Sequence, residues 1–89
     1  MRRVTIYSRP GCHLCVEMKT VVERVAARAA PGAITIKEID ISSDPGLRER
    51  YGLEIPVLLI DGRKTAKYRI TEDALLRKLG GASRAAIWP

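Results

Sequence analysis

Both cysteines of the chain stand in one stretch, Ser8-Arg9-Pro10-Gly11-Cys12-His13-Leu14-Cys15. A CxxC pair can exchange disulfides, or it can supply half of a tetrahedral metal site. Which it does depends on where the chain holds each sulfur. Upstream, Val4-Thr5-Ile6-Tyr7 has the β-branched and aromatic content of a strand. Pro10-Gly11 is turn punctuation. Downstream, Leu14, Cys15, Met18, Val21, Val22, Val25, Ala26 and Ala29 recur at three- and four-residue spacing and draw one apolar helical stripe. Cys15 is on that stripe and Cys12 is not. The pattern therefore predicts Cys12 at the open N-terminal end of a helix and Cys15 one turn further, facing inward.

That placement favours thiol chemistry. The first helical turn has unpaired N–H groups and the positive end of the macrodipole, and both stabilise a thiolate. Cysteines so placed have pKa values of roughly 3.5–7.5, against about 8.5 for a free thiol. Arg9 and His13 flank Cys12 and can add positive charge. Cys12 is thus the candidate nucleophile and Cys15 the resolving thiol. His13, when protonated, would stabilise the thiolate; the plainer reading is an exposed side chain of little effect. A buried inert pair would suit Cys15 alone but not a cysteine on a Pro-Gly turn.

The rest of the chain must position this pair. Its 89 residues suit one domain with a modest core. Pro31-Gly32 follows the first helix, and Ile34 to Ile41 reads as a strand whose alternation slips between Ile36 and Ile39, which predicts a bulge or a strand end there. Strand, helix and strand imply a parallel βαβ unit. Ser42-Ser43-Asp44-Pro45 opens a short helix with a capping hydroxyl, an acidic first turn and an early proline, with Leu47 and Tyr51 inward and Gly52 as its stop. Val57-Leu58-Leu59-Ile60 is a buried central strand. Asp61-Gly62 predicts a hairpin, and Arg63 to Tyr68 the polar edge strand that returns from it. Thr71 caps a last helix with Glu72 and Asp73 in its first turn, Leu75, Leu76 and Leu79 inward, and Gly80-Gly81 at its end. Three helices against a four-stranded mixed sheet make an α/β domain over residues 1–81, followed by a tail over 82–89 that includes Trp88. In such sheets ligands gather at the C-terminal strand edge, where Cys12 falls.

At these residues the chain resembles the glutaredoxin and thioredoxin superfamily, in particular small bacterial glutaredoxin-like proteins with a Cys-His-Leu-Cys centre. The resemblance spans Val4 to Leu79 and rests on the CxxC between strand and helix, on Ile55-Pro56 before a strand, on the Asp-Gly hairpin and on the element order. It implies the thioredoxin fold, and Cys12 as the solvent-facing nucleophile with Cys15 as the buried thiol that resolves the mixed disulfide. It also implies a cis-proline at Pro56, with Ile55 offering its backbone to an extended substrate. Arg9 stands where glutaredoxins often keep a lysine. Two features depart from that pattern. His13 replaces the proline that glutaredoxins place after the first cysteine. Their Gly-Gly and acidic pair before the last helix, which holds glutathione, reads here Arg69-Ile70-Thr71-Glu72-Asp73. Thr71 and Asp73 are the candidates to hold a peptide or glutathione amine, beside the plainer reading of an ordinary helix cap.

The expected function is that of a dithiol thiol–disulfide oxidoreductase acting on protein or small-molecule disulfides, with no tightly bound cofactor. Glutathione or a thioredoxin-reductase-like donor is the expected reductant. The alternatives are a zinc or iron–sulfur module, or a catalytically weak binding domain. One CxxC supplies two of four ligands, so a metal site needs a dimer, whereas nothing else in the chain demands more than a monomer. The balance of 16 basic to 10 acidic residues gives a net charge of +6. Those cations are scattered, and four aromatics are too few for a base-stacking surface, so nucleic acid is not an expected partner. No apolar run approaches a membrane span, and Met1-Arg2-Arg3 leads straight into a strand without a secretory segment, so the expected location is cytoplasmic.

Overall fold

The computed structural model describes residues 2–80. The elements run β1 (Arg2–Ser8), α1 (His13–Arg28), β2 (Ile34–Asp40), a 3₁₀ turn (Ile41–Ser43), α2 (Pro45–Tyr51), β3 (Val57–Ile60), β4 (Arg63–Lys67) and α3 (Glu72–Gly80). One mixed sheet has the order β2-β1-β3-β4, with β1 parallel to β2 and antiparallel to β3, and β3 antiparallel to β4. Gly81 and the predicted tail over 82–89, with Trp88, lie outside the described residues.

Strand alternation divides the apolar side chains between two layers. Val4 and Ile6 of β1 and Leu58 and Ile60 of β3 face α1 and α3, and meet Met18, Val22, Val25, Leu75 and Leu79 there. On the other face Val57 joins Ile41, Tyr51, Ile55 and Cys15, with Tyr7, Leu47 and Cys12 packed alongside. Tyr7 and Tyr51 stack with ring centroids 4.8 Å apart. This second, smaller core lies beneath the CxxC and holds it to the sheet edge.

Two local expectations are corrected. The strand β2 has no bulge: its register with β1 runs unbroken from Arg2–Ile34 to Ser8–Asp40. The apolar alternation breaks because Glu38, on the α1-facing side after Ile34 and Ile36, bonds Ser8 and Lys19 instead of entering the core. An edge strand tolerates that. The second correction concerns the cap of α2. Its Ncap is Asp44, whose carboxylate accepts the Leu47 N–H at 3.1 Å, rather than a serine hydroxyl, so the acid stands at the cap and the first turn itself holds none. Ser42 is occupied one turn earlier, donating to Asp40 at 2.6 Å. Gly52 ends α2 in right-handed backbone, φ −56°. A Cβ there would collide with the Arg48 carbonyl oxygen.

The hairpin forms as expected, with Asp61 at φ 51° and Gly62 at φ 84°, both positive as a type I′ turn requires. The Asp61 carboxylate also accepts the Arg3 N–H at 2.8 Å. The strand β4 stops one residue early, because Tyr68 turns to φ 68°.

At the start of α3, the Thr71 hydroxyl accepts the Ala74 N–H at 3.1 Å. Thr71→Ala should therefore cost about 1 kcal/mol, the usual worth of such a cap, whereas Thr71→Ser should cost little. Urea denaturation of both variants measures the difference, and equal losses would dismiss the cap.

Candidate functional site

The site grows from the junction of β1 and α1. Pro10-Gly11 turns the chain, with Gly11 at φ 78°, a conformation easy only for glycine. Cys12 is then the Ncap of α1, in extended backbone at φ −92°, ψ 109°. Its Sγ accepts the backbone N–H of Cys15 at 3.1 Å, and its carbonyl accepts that of Val16 at 3.2 Å. A cysteine thus occupies the position usually filled by Ser, Asp or Thr, and its sulfur receives one of the orphan donors of the helix. The first turn of α1 contains no acidic residue to oppose negative charge on that sulfur.

The two cysteines differ as the helical stripe predicted. Cys12 is half-buried, while Cys15 is 3 % exposed and packed against Ile41, Tyr51, Ile55 and Val57. They are joined as a disulfide, with Cα atoms 5.2 Å apart, well inside the range such bonds require. The fold therefore places the sulfurs for bond formation with one exposed to attack and one shielded.

Beside the pair lies an open groove of about 500 Å³, lined by Ser8 to His13, Cys15, Val16, Glu38 and Asp40. Arg9 brings a guanidinium and His13 an imidazole to the groove, and Glu38 and Asp40 bring carboxylates. Sequence reasoning missed those carboxylates, although the broken alternation of β2 marked the place of Glu38. Its carboxyl is held below the ordinary glutamate range, first by the hydrogen bond from Lys19 and next by that from buried Ser8. The Glu38 hydrogen bond, in turn, holds the Lys19 ammonium above its ordinary range. Asp40 is lowered by the Ser42 hydroxyl and N–H.

Glu38 is lowered on folding, so its contribution is complete above the ordinary value of 4.5 and fades as pH falls through the lower folded value. The melting temperature should decline between about pH 5 and pH 3, and less steeply in Glu38→Gln. Parallel acid profiles for the two proteins would remove Glu38 from the account.

The other expected residues divide into two groups. The Ile55–Pro56 bond is cis, and both residues are buried, with the Ile55 side chain in the same cluster as the cysteines. Thr71 is not brought to the cysteines: it lines a separate groove with Glu17, Tyr68 and Arg69. Asp73 is exposed on the first turn of α3, and Glu72 turns toward Arg24 and Arg28 of α1, at 3.5 and 3.7 Å. Sequence reading also missed Tyr68, whose positive φ has no signal in a run that otherwise reads as strand.

With this geometry in place, comparison with known proteins decides the family. Residues 3–80 match the model of the glutaredoxin-like domain (DUF836). The chain belongs to the glutaredoxin-like family. A glutaredoxin-like protein of Dictyostelium discoideum is 32% identical over 75 residues, covering 81% of this chain and 69% of that protein. Among solved structures, the X. campestris target protein XcR50 superposes with a TM-score of 0.73 at 28% identity, over 89% of this chain and 97% of that one. The glutaredoxin-like protein NrdH-redoxin from Escherichia coli has the same fold, with a TM-score of 0.56 at 21% identity over 75% of this chain and 84% of its own. The glutaredoxin-like domain is thus a thioredoxin fold with a CxxC pair at its sheet edge, which supports a redox function in general.

Proposed function

We propose that this chain is a dithiol thiol–disulfide oxidoreductase. The supporting observation is the unequal pair on α1, with Cys12 half-exposed and receiving the Cys15 N–H while Cys15 is buried beside it. The Cys12 thiolate attacks one sulfur of a substrate disulfide, forms a mixed disulfide and expels the other sulfur as a thiolate. The Cys15 thiolate then attacks Cys12 Sγ, breaks the mixed disulfide and releases the second substrate thiol. Two electrons pass to the substrate, and the protein is left as the Cys12–Cys15 disulfide. A thiol donor, either glutathione or a thioredoxin-reductase-like dithiol, restores the reduced form. The solved NrdH-redoxin is described as a glutaredoxin-like protein with a thioredoxin-like activity profile, which keeps both donors in the proposal.

In this reading Arg9 and His13 stabilise the Cys12 thiolate that attacks the incoming disulfide, and Ile55 with Pro56 forms the ledge on which the substrate rests. Thr71 and Asp73 do not line the groove beside the cysteines, so the site suits a protein disulfide better than glutathione. Cytoplasmic location and action as a monomer belong to the same proposal; no described helix is long and apolar enough to cross a membrane.

A glutathione redox titration read by intact mass tests the reading. The expected result is reversible two-electron closure of the pair between about −270 and −180 mV. A pair that stays reduced throughout, or a protein that carries metal, would overturn it in favour of the metal-binding or binding-domain alternative.

A further inference from the structure

The turn Leu53-Glu54-Ile55-Pro56 sits between α2 and β3 and carries Ile55 to the cysteines. It is tied down at nearly every residue. The Tyr68 phenol donates to the Leu53 carbonyl at 3.0 Å, and the Tyr68 backbone N–H donates to the Pro56 carbonyl at 2.8 Å. Glu54 donates its N–H to Tyr51 and pairs its carboxylate with Lys64 of β4. Ile55 is the exception. Among the described residues neither its N–H nor its C=O has a partner, while its side chain is buried against the disulfide. Unpaired backbone groups beside a reactive sulfur suit an extended polypeptide, which can bond them as an added strand.

Tyr68 is the residue that holds this edge from outside. It is 43 % exposed and contributes little to the core, yet it adopts φ 68°, which is uncommon for a bulky side chain. That left-handed turn ends β4 and aims the phenol and the N–H at carbonyls on either side of Ile55. An outlier kept where it contributes so little packing points to a task at the site.

We propose that Tyr68 is a positioning residue for polypeptide substrates: its two hydrogen bonds, to Leu53 and Pro56, hold the Ile55 backbone edge in place beside Cys12 and Cys15. This rests on the oxidoreductase reading and extends it, by making exchange with an extended polypeptide depend on Tyr68 and exchange with a small disulfide independent of it. Tyr68 touches no reacting atom.

The test uses the reduced full chain in single-turnover reactions with two probes, an unstructured peptide carrying a mixed disulfide and hydroxyethyl disulfide. Tyr68→Phe keeps the ring and the backbone bond and removes only the hydroxyl. The expected result is a half-saturating peptide concentration raised about fivefold, the worth of one hydrogen bond. The limiting rate, the reduction potential and the rate with hydroxyethyl disulfide should stay unchanged. Backbone amide exchange at Glu54, whose N–H bonds the Tyr51 carbonyl, should also quicken in the variant, a readout that needs no substrate. An unaltered half-saturation for the peptide, an equal loss on both probes, or unaltered amide exchange would each overturn the role of Tyr68 and leave the oxidoreductase reading standing. If the unsubstituted protein reduces neither probe, that reading falls and the role of Tyr68 falls with it.

Discussion

Replacing Cys12 by serine should abolish disulfide reduction, whereas replacing Cys15 should stop the cycle after its first half. The asymmetry follows from burial and from bond order. Cys12 Sγ is the sulfur that solvent reaches, and the Cys15 N–H already points at it; an alkoxide cannot replace it, because a serine hydroxyl stays protonated at neutral pH. With Cys15→Ser the first attack is intact, so the variant should accumulate a stable mixed disulfide on Cys12, visible as one added substrate thiol by intact mass. The same geometry orders alkylation. In the reduced protein iodoacetamide should modify Cys12 at least about ten times faster than Cys15, because exposure and helix-terminal donors act on one sulfur only. A mixed disulfide trapped on Cys15 in the Cys12→Ser variant, or comparable alkylation of both thiols, would reverse the assignment of roles.

The sequence made this site legible where local pattern and tertiary demand coincide. The three- and four-residue spacing from Leu14 to Ala29 separates Cys15 from Cys12, and the structure divides their burial accordingly. Asp61-Gly62 carries its own backbone preference, so the hairpin was plain. Val57 to Ile60 is apolar on both faces because each face meets a different core. The misreadings came from partners that are distant in the chain. Glu38 looks like an interruption of a strand until Ser8, 30 residues away, and Lys19 are seen to bind it. Asp44 and Ser42 are both acceptable caps by residue type, and only Asp40, by engaging Ser42, assigns the cap to Asp44. Tyr68 is similar: composition puts it in a strand, while the carbonyls of Leu53 and Pro56 draw it out. Residues paired across the fold have no local spacing to betray them.

Leu58→Ala should produce a large loss of stability while leaving the layer that holds the cysteines intact. Leu58 is fully buried, stands opposite Ile6 in the β1–β3 ladder and packs in the core shared by α1 and α3. Truncation removes its apolar contacts and leaves a cavity between two helices and two strands that cannot close without moving one of them. The cost of such a change is about 3 kcal/mol, from a total of about 5–15 kcal/mol for a domain. The melting temperature should fall by about 15 °C. Leu53 provides the control, since it is 92 % exposed and its truncation should stay within about 0.5 kcal/mol. The functional consequence separates the two cores. Leu58 lies two residues beyond Pro56, but the cysteines rest on the other layer, with Ile41, Tyr51 and Val57. At a temperature where the variant remains folded, its Cys12–Cys15 reduction potential should therefore match that of the unsubstituted protein. A shifted potential would mean that the two layers act as one unit, with the main core tuning the disulfide through β3.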